Sequence, residues 1–184
     1  MDKSRGSADS FILGLSSTTS DFVHVLFGDL FIEETDLISF LSHENKECML
    51  VSRLKEDQRN WIACTCESNQ LISFGAHHRG EMLGYQMAAL TIHRRFKEVA
   101  KLNPGRFQNL KVGVGSPLEH FIEESINEYV KTYPIESMEC KEAFFDIDKP
   151  WHILELNAYI VKKQTETLTQ DEWGEKTTID KSAR

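Results

Sequence analysis

Apolar and polar positions along this 184-residue chain recur with two different periods, and the local period sets the element expected at each point. From Leu71 to Arg95 the sequence LISFGAHHRGEMLGYQMAALTIHRR alternates like a strand on both sides of His78-Arg79-Gly80-Glu81. Gly80 can take the positive φ that a tight turn demands, so this stretch predicts a β-hairpin. Upstream, Phe11-Ile12-Leu13 reads as the start of a short strand. Thr19, Ser20 or Asp21 can then cap a helix whose apolar face is Phe22, Val25, Leu26 and Leu30. Asp36 to Leu41 carries a short second helical turn, and Arg53 to Cys66 reads as another helix with Leu54, Trp61 and Ile62 pointing inward. The polar, basic run from Arg94 to Arg106 is broken at Asn103-Pro104-Gly105 and reads as a linker.

Farther along, Ser116-Pro117-Leu118-Glu119 combines an N-cap residue, a proline at the first helical position and a carboxylate two residues later. Together these satisfy or avoid the orphan amides of a helix start. A helix from Pro117 to about Lys131 follows, with Leu118, Phe121, Ile122, Ile126, Tyr129 and Val130 on its apolar face. Met138 to Ile147 and Trp151 to Val161 then alternate as two strands about a turn at Asp146 to Pro150. Residues 1–9 and 164–184 are polar and are expected to be flexible, which leaves 10–163 as one folded domain.

Composition narrows the classes. Hydrophobic residues make up 40% of the chain, enough for one core at this length. Lys and Arg number 21 against 29 Asp and Glu, so the net charge of −8 opposes a nucleic-acid partner held through phosphates. No run of apolar residues is long enough to span a bilayer and the N-terminus lacks an apolar signal core, so a cytoplasmic protein with no membrane partner is expected. Cys48, Cys64, Cys66 and Cys140 are too few for a disulfide framework and are expected as reduced thiols. The C-x-C spacing of Cys64 and Cys66 does not match a zinc knuckle even with His77 and His78 nearby, so no metal is expected.

The order helix, short helix, hairpin, capped helix, strand resembles the Gcn5-related N-acetyltransferase (GNAT) fold. Val25-Leu26-Phe27-Gly28-Asp29-Leu30-Phe31 with Glu33, Glu34 and Leu37 looks like the opening motif of the arylalkylamine N-acetyltransferase-like branch. Leu71 to Arg95 is similar to that branch's strand, Gly turn and strand, and Trp151 to Lys163 looks like its splayed central strand. The fold expected is therefore α/β, a mixed sheet flanked by helices. What the resemblance implies is acetyl transfer from acetyl-CoA to a small amine, with Glu34 as the base and Tyr159 and Val161 supplying backbone contacts to the pantetheine arm.

Departures from the pattern bear on the cofactor. Thr35-Asp36 stands where the family has Pro-Leu, and Gln170 to Lys176 offers one glycine and three carboxylates where a pyrophosphate needs backbone amides. A domain cut off at its cofactor site, acting without catalysis as a protein-interaction or homodimerisation module, is the alternative function. A second register makes Leu71 to His77 the central strand, Arg79 to Gly84 a degenerate phosphate loop and Tyr85 to Lys101 its helix. His77-His78, Arg94-Arg95 with Lys97, and Gly113-Val114-Gly115 are weaker candidates, each explained as well by a surface turn, surface charge or an ordinary helix cap.

Overall fold

The computed structural model describes residues 6–43, 46–54, 63–75, 84–103, 105–106 and 120–166. They fall in two compact units, residues 1–144 and 145–184. The first unit opens with α1 (Ser7–Ser16), β1 (Phe22–Leu26), β2 (Leu30–Ile32) and α2 (Glu34–Leu41). It continues through β3 (Cys48–Arg53), β4 (Ala63–Glu67), β5 (Gln70–Gly75), β6 (Tyr85–His93) and α3 (Phe96–Leu102). The short strands β7 (Gly105–Arg106) and β8 (His120–Phe121) pair with each other, and α4 (Glu123–Val130) and β9 (Glu136–Glu139) follow. β10 (Phe144–Asp146) straddles the boundary, and α5 (Pro150–Glu166) belongs to the second unit.

The main sheet runs β1-β6-β3-β9-β5-β4, and β4 also pairs with β6 through Ala63 opposite Gln86 and Cys64 opposite Tyr85. Only β3 and β9 run parallel among these pairings; β1–β6, β3–β6, β4–β5 and β5–β9 are antiparallel. β3 shows why the sheet is covered on both faces. Met49 and Val51 enter a core cluster with Phe11 and Leu15 of α1, Phe96 and Ala100 of α3, and Ile126 and Tyr129 of α4. Cys48 and Leu50 point the other way, into a second cluster with Phe40 of α2. Period-2 alternation with both faces apolar reads as a continuous hydrophobic run, CMLV, and marks a strand buried on both sides. The expected α/β architecture, a mixed sheet flanked by helices, is therefore present.

Several local expectations give way. Phe11 to Leu13 is helical, because Ala8, Phe11 and Leu15 recur at helical spacing and are all buried. Phe22 to Leu26 is a strand: five consecutive pairings with His93 to Ala89 of β6 outweigh an apolar pattern that also fits a helix. The expected helix from Arg53 to Cys66 begins and ends in strand, at β3 and β4, with 55–62 outside the described residues. The linker from Arg94 contains α3. Of the capped helix, residues 123–130 are present, but His120-Phe121 is strand and Ser116 lies outside the described residues.

Both strands of the predicted 71–95 hairpin exist, yet they do not pair with each other, and the Gly80 turn lies outside the described residues. The hairpin partner of β5 is β4, joined through Ser68-Asn69, whose φ values of 49° and 61° are those of a two-residue type I′ turn. Tyr85 to His93 is the most buried strand of the sheet, which also removes the register that made Tyr85 to Lys101 a helix.

In the second unit Trp151 to Val161 is not a strand but most of the 17-residue α5. Pro150 occupies its first position, where a missing N–H costs nothing, and the strong helix formers Leu154, Glu155, Leu156, Ala158, Lys162 and Lys163 follow it. Tyr159 stacks on Phe145 at 5.4 Å between centroids, and Lys162 pairs with Glu166 one turn on at 3.7 Å.

Candidate functional site

β1 ends in a tight connection to β2, and the connection carries Gly28 and Asp29, both exposed. A carboxylate on a turn directly beyond a paired strand is held by the sheet while its oxygens stay open to solvent and ligand. Glycine beside it leaves the approach clear: a Cβ built at Gly28 meets nothing within 4 Å. The strand that positions Asp29 is secured along its length by β6 and, from the side, by the hydrogen bond between His24 Nδ1 and Thr91 Oγ1 at 2.8 Å.

An apolar groove of about 520 Å³ runs between α1 and β1, lined by Phe11 and Leu15 on the helix and by Val23, Val25 and Phe27 on the strand side. Phe27 is two residues before Asp29, so groove and carboxylate lie on one continuous stretch of chain. A second groove of about 530 Å³, mostly polar, lies where the Ser68-Asn69 turn meets β9, with His43, Glu136 and Lys141 on its walls. Next to it the Asp36 carboxylate, 5% exposed, accepts the backbone N–H groups of Lys141 (3.0 and 3.1 Å) and Glu142 (2.9 Å) and so pins the chain after β9. Burial, and secondarily Asp36, pushes the neighbouring Cys140 thiol up to about 12.

The residues expected from sequence are dispersed. Glu34 is the first residue of α2, exposed beside its N-cap Glu33. Tyr159 and Val161 are both inside α5, where backbone amides close helical hydrogen bonds and are not presented to a ligand as they would be on a splayed strand. Arg94 is engaged with Asp21 at 3.4 Å, and the Arg95 guanidinium sits 4.7 Å from the Tyr133 ring centroid. His77-His78 and Gly113 to Gly115 lie outside the described residues. Asp29 was not singled out from sequence, although VHVLFGD, a β-rich run closed by Gly-Asp, is a strand-then-turn signal.

No family model and no curated protein matches the sequence. By structure the chain is similar to the inositol-1-phosphate CTP transferase from T. maritima, with a TM-score of 0.65 at 16% identity over 91% of this chain and 66% of that one. It is also similar to a UDP-glucose pyrophosphorylase complexed with UDP-glucose (0.65, 12%, 88% and 64%) and to a UTP-bound UGPase from Acinetobacter baumannii (0.60, 11%, 90% and 63%). At these identities the likeness establishes a shared fold. The chain spans 63–66% of the length of these solved proteins.

This likeness overturns the acetyltransferase resemblance. The GNAT assignment rested on a splayed strand at 151–161, which is a helix, and on a 71–95 hairpin, which does not pair. With it go acetyl-CoA as co-substrate, acetyl transfer to a small amine, and the alternative of a truncated acetyltransferase acting as an interaction or dimerisation module. Among the described residues no helix is long and apolar enough to cross a membrane.

Proposed function

We propose that this chain takes part in nucleotidyl transfer from a nucleoside triphosphate to a phosphomonoester of a sugar or polyol. The carrying observation is Asp29, an exposed carboxylate at the tip of β1, in a fold shared with proteins described as a CTP transferase and UDP-glucose pyrophosphorylases.

The chemistry suits the residues present. An oxygen of the phosphomonoester attacks the α-phosphorus, a P–O bond forms, the bridging bond to the β-phosphate breaks, and pyrophosphate leaves. The nucleophile is already an anion, so no base need remove a proton, in contrast to amine acetylation, for which Glu34 was expected to serve. What the reaction does require is relief of repulsion, because two multiply charged anions must meet on a chain of net charge −8.

A divalent cation such as Mg²⁺ supplies that relief by drawing charge from the phosphate oxygens. The donor chemistry fits: Mg²⁺ is held by one or two carboxylates together with substrate phosphates, and Asp29 is such a hard oxygen ligand on a solvent-facing turn. Asp29 would hold the cation, and the pairing of β1 with β6 keeps the carboxylate in place. The expectation of no metal is replaced by this reading. The second unit, taken by itself, carries Asp146 and Asp148 on the approach to α5, and these are tested separately.

The test is pyrophosphate release with each nucleoside triphosphate in turn, Mg²⁺, and glucose-1-phosphate or inositol-1-phosphate. Alongside it, calorimetric titration with UDP-glucose and Mg²⁺ reads binding without turnover. Release of pyrophosphate matched by an equal amount of nucleotide-linked product, lowered about a hundredfold or more in Asp29→Asn, is the expected result. Neither turnover nor binding with any pair, from protein shown to be folded, would overturn the reading. Asp148→Asn is assayed the same way.

A further inference from the structure

Helix α5 carries apolar side chains on two opposite faces, and only one of them is covered. His152, Leu156, Tyr159 and Ile160 form the inner face, with Leu156 buried and the other three half-buried. Tyr159 of this face stacks on Phe145. At about 100° per residue, the side turned away from it is the row Trp151, Leu154, Ala158, Val161 and Thr165. All five are exposed. Trp151 is 56%, Leu154 69% and Val161 58% exposed, although the water-facing side of a helix is ordinarily polar.

Spacing says what kind of surface the row fits. Its members follow one another at intervals of three, four, three and four residues, the alternation that keeps one seam of a helix facing a second helix along its length. Charge then says which helix. Glu155 and Lys162 stand one heptad apart on one flank of the row, both exposed. Two α5 helices crossing antiparallel about a twofold axis at Ala158 set Leu154 against Val161 and Glu155 against Lys162, each contact being made twice. The small Ala158 side chain lies at the crossing, where it lets the axes come to the near end of the usual separation of about 8–10 Å. A parallel pair would turn Asn157 toward Lys162 and form no ion pair, and its aligned helix dipoles would repel.

We propose that the exposed face of α5 is a self-association surface, on which a second copy of this chain lays its own α5 antiparallel. Trp151, Leu154 and Val161 lose their contact with water, which drives the association, and the two Glu155–Lys162 pairs at the rim fix its direction. A seam of about four turns per copy is at the small end of stable interfaces, so monomer and dimer exchange in the micromolar range. This pairing rests on α5 alone and stands independently of the nucleotidyl-transfer reading.

The test is sedimentation equilibrium of the full chain from roughly 1 to 300 μM, a span that brackets micromolar dissociation. A reversible monomer–dimer equilibrium is expected. Leu154→Glu, at a position that its own chain leaves exposed, should keep the far-ultraviolet circular dichroism of the folded protein and remain monomeric throughout. Lys162→Glu sets two carboxylates face to face at both ends of the seam and should weaken the dimer roughly three- to tenfold. Glu155→Lys combined with Lys162→Glu exchanges the charges and should restore it. A monomer at every concentration would overturn the proposal, as would a dimer indifferent to Leu154→Glu. A dimer weakened by Lys162→Glu that the charge exchange fails to restore would overturn the antiparallel pairing and with it the proposal.

Discussion

Asn127 of α4 binds both backbone groups of Phe74 in β5: the Phe74 N–H donates to Asn127 Oδ1 at 2.6 Å, and Asn127 Nδ2 donates to the Phe74 carbonyl at 2.8 Å. β5 meets β9 in register only at Gln70 opposite Glu136, so farther along its length the strand uses a side-chain amide as a substitute neighbour. Two half-buried hydrogen bonds of this kind contribute roughly 1 kcal/mol each. Asn127→Leu is expected to lower stability by about 2–3 kcal/mol in urea denaturation, because both Phe74 groups lose their partner. Asn127→Asp retains the acceptor but not the donor and should fall between the two.

The Ser68-Asn69 turn is built from two non-glycine residues in the left-handed region. Each carries a steric cost that glycine lacks. Asn69→Gly is expected to raise stability by roughly 0.5–1 kcal/mol, and Ser68→Val to lower it by about 1–2 kcal/mol. Thermal melts of the two variants would move in opposite directions, and a common direction would refute the turn assignment.

Asp36 accepts the N–H groups of Lys141 and Glu142 while nearly buried, and it helps keep the Cys140 thiol protonated. Asp36→Asn replaces an acceptor oxygen with a donor facing a donor and is expected to cost about 2 kcal/mol. It should also lower the Cys140 pKa, seen as faster alkylation of that residue at alkaline pH. The larger cause, burial, remains, so the shift is partial.

Tyr129 is buried and its hydroxyl donates a hydrogen bond to the Glu47 carboxylate, and burial first, then that bond, raises its pKa above 10.0. A phenol raised in the folded state stabilises the fold below its unfolded pKa and loses that contribution as pH rises past it. Cys48 and Cys140, raised from 9.0, act with the same sign. Stability is therefore expected to decline as pH rises from about 9, where unfolded thiols ionise, through 10.0 and above, where tyrosine joins them. Tyr129→Phe should be less stable at pH 7 but show a shallower alkaline decline in urea midpoints measured across this range.

Much of the sheet was legible where pattern and tertiary pairing agree. Leu71 to Phe74 and Tyr85 to His93 are strands, as alternation and β-branched residues suggest, and Ile126 and Tyr129 lie on a buried helical face with Ile122 buried at its N-cap. Partner choice was not legible, because it depends on which strands flank β6 in space; a local turn signal at Gly80 cannot report that. Trp151 to Val161 misled by a different route. Alternating apolar residues suit a strand, yet Pro150 at the first helical position and the strong helix formers after it favour α5. Asp29 escaped notice because a helix was expected across 22–30, which hid the turn that presents its carboxylate.

The position of β6 between β1 and β3, with one end also against β4, governs the order in which the chain can organise itself during synthesis. Residues 22–26 and 48–53 leave the ribosome long before residue 93 does, and neither strand can complete its ladder until then. Through that interval the nascent chain displays open strand edges and the apolar CMLV segment, a state that favours chaperone engagement and slow, non-local folding.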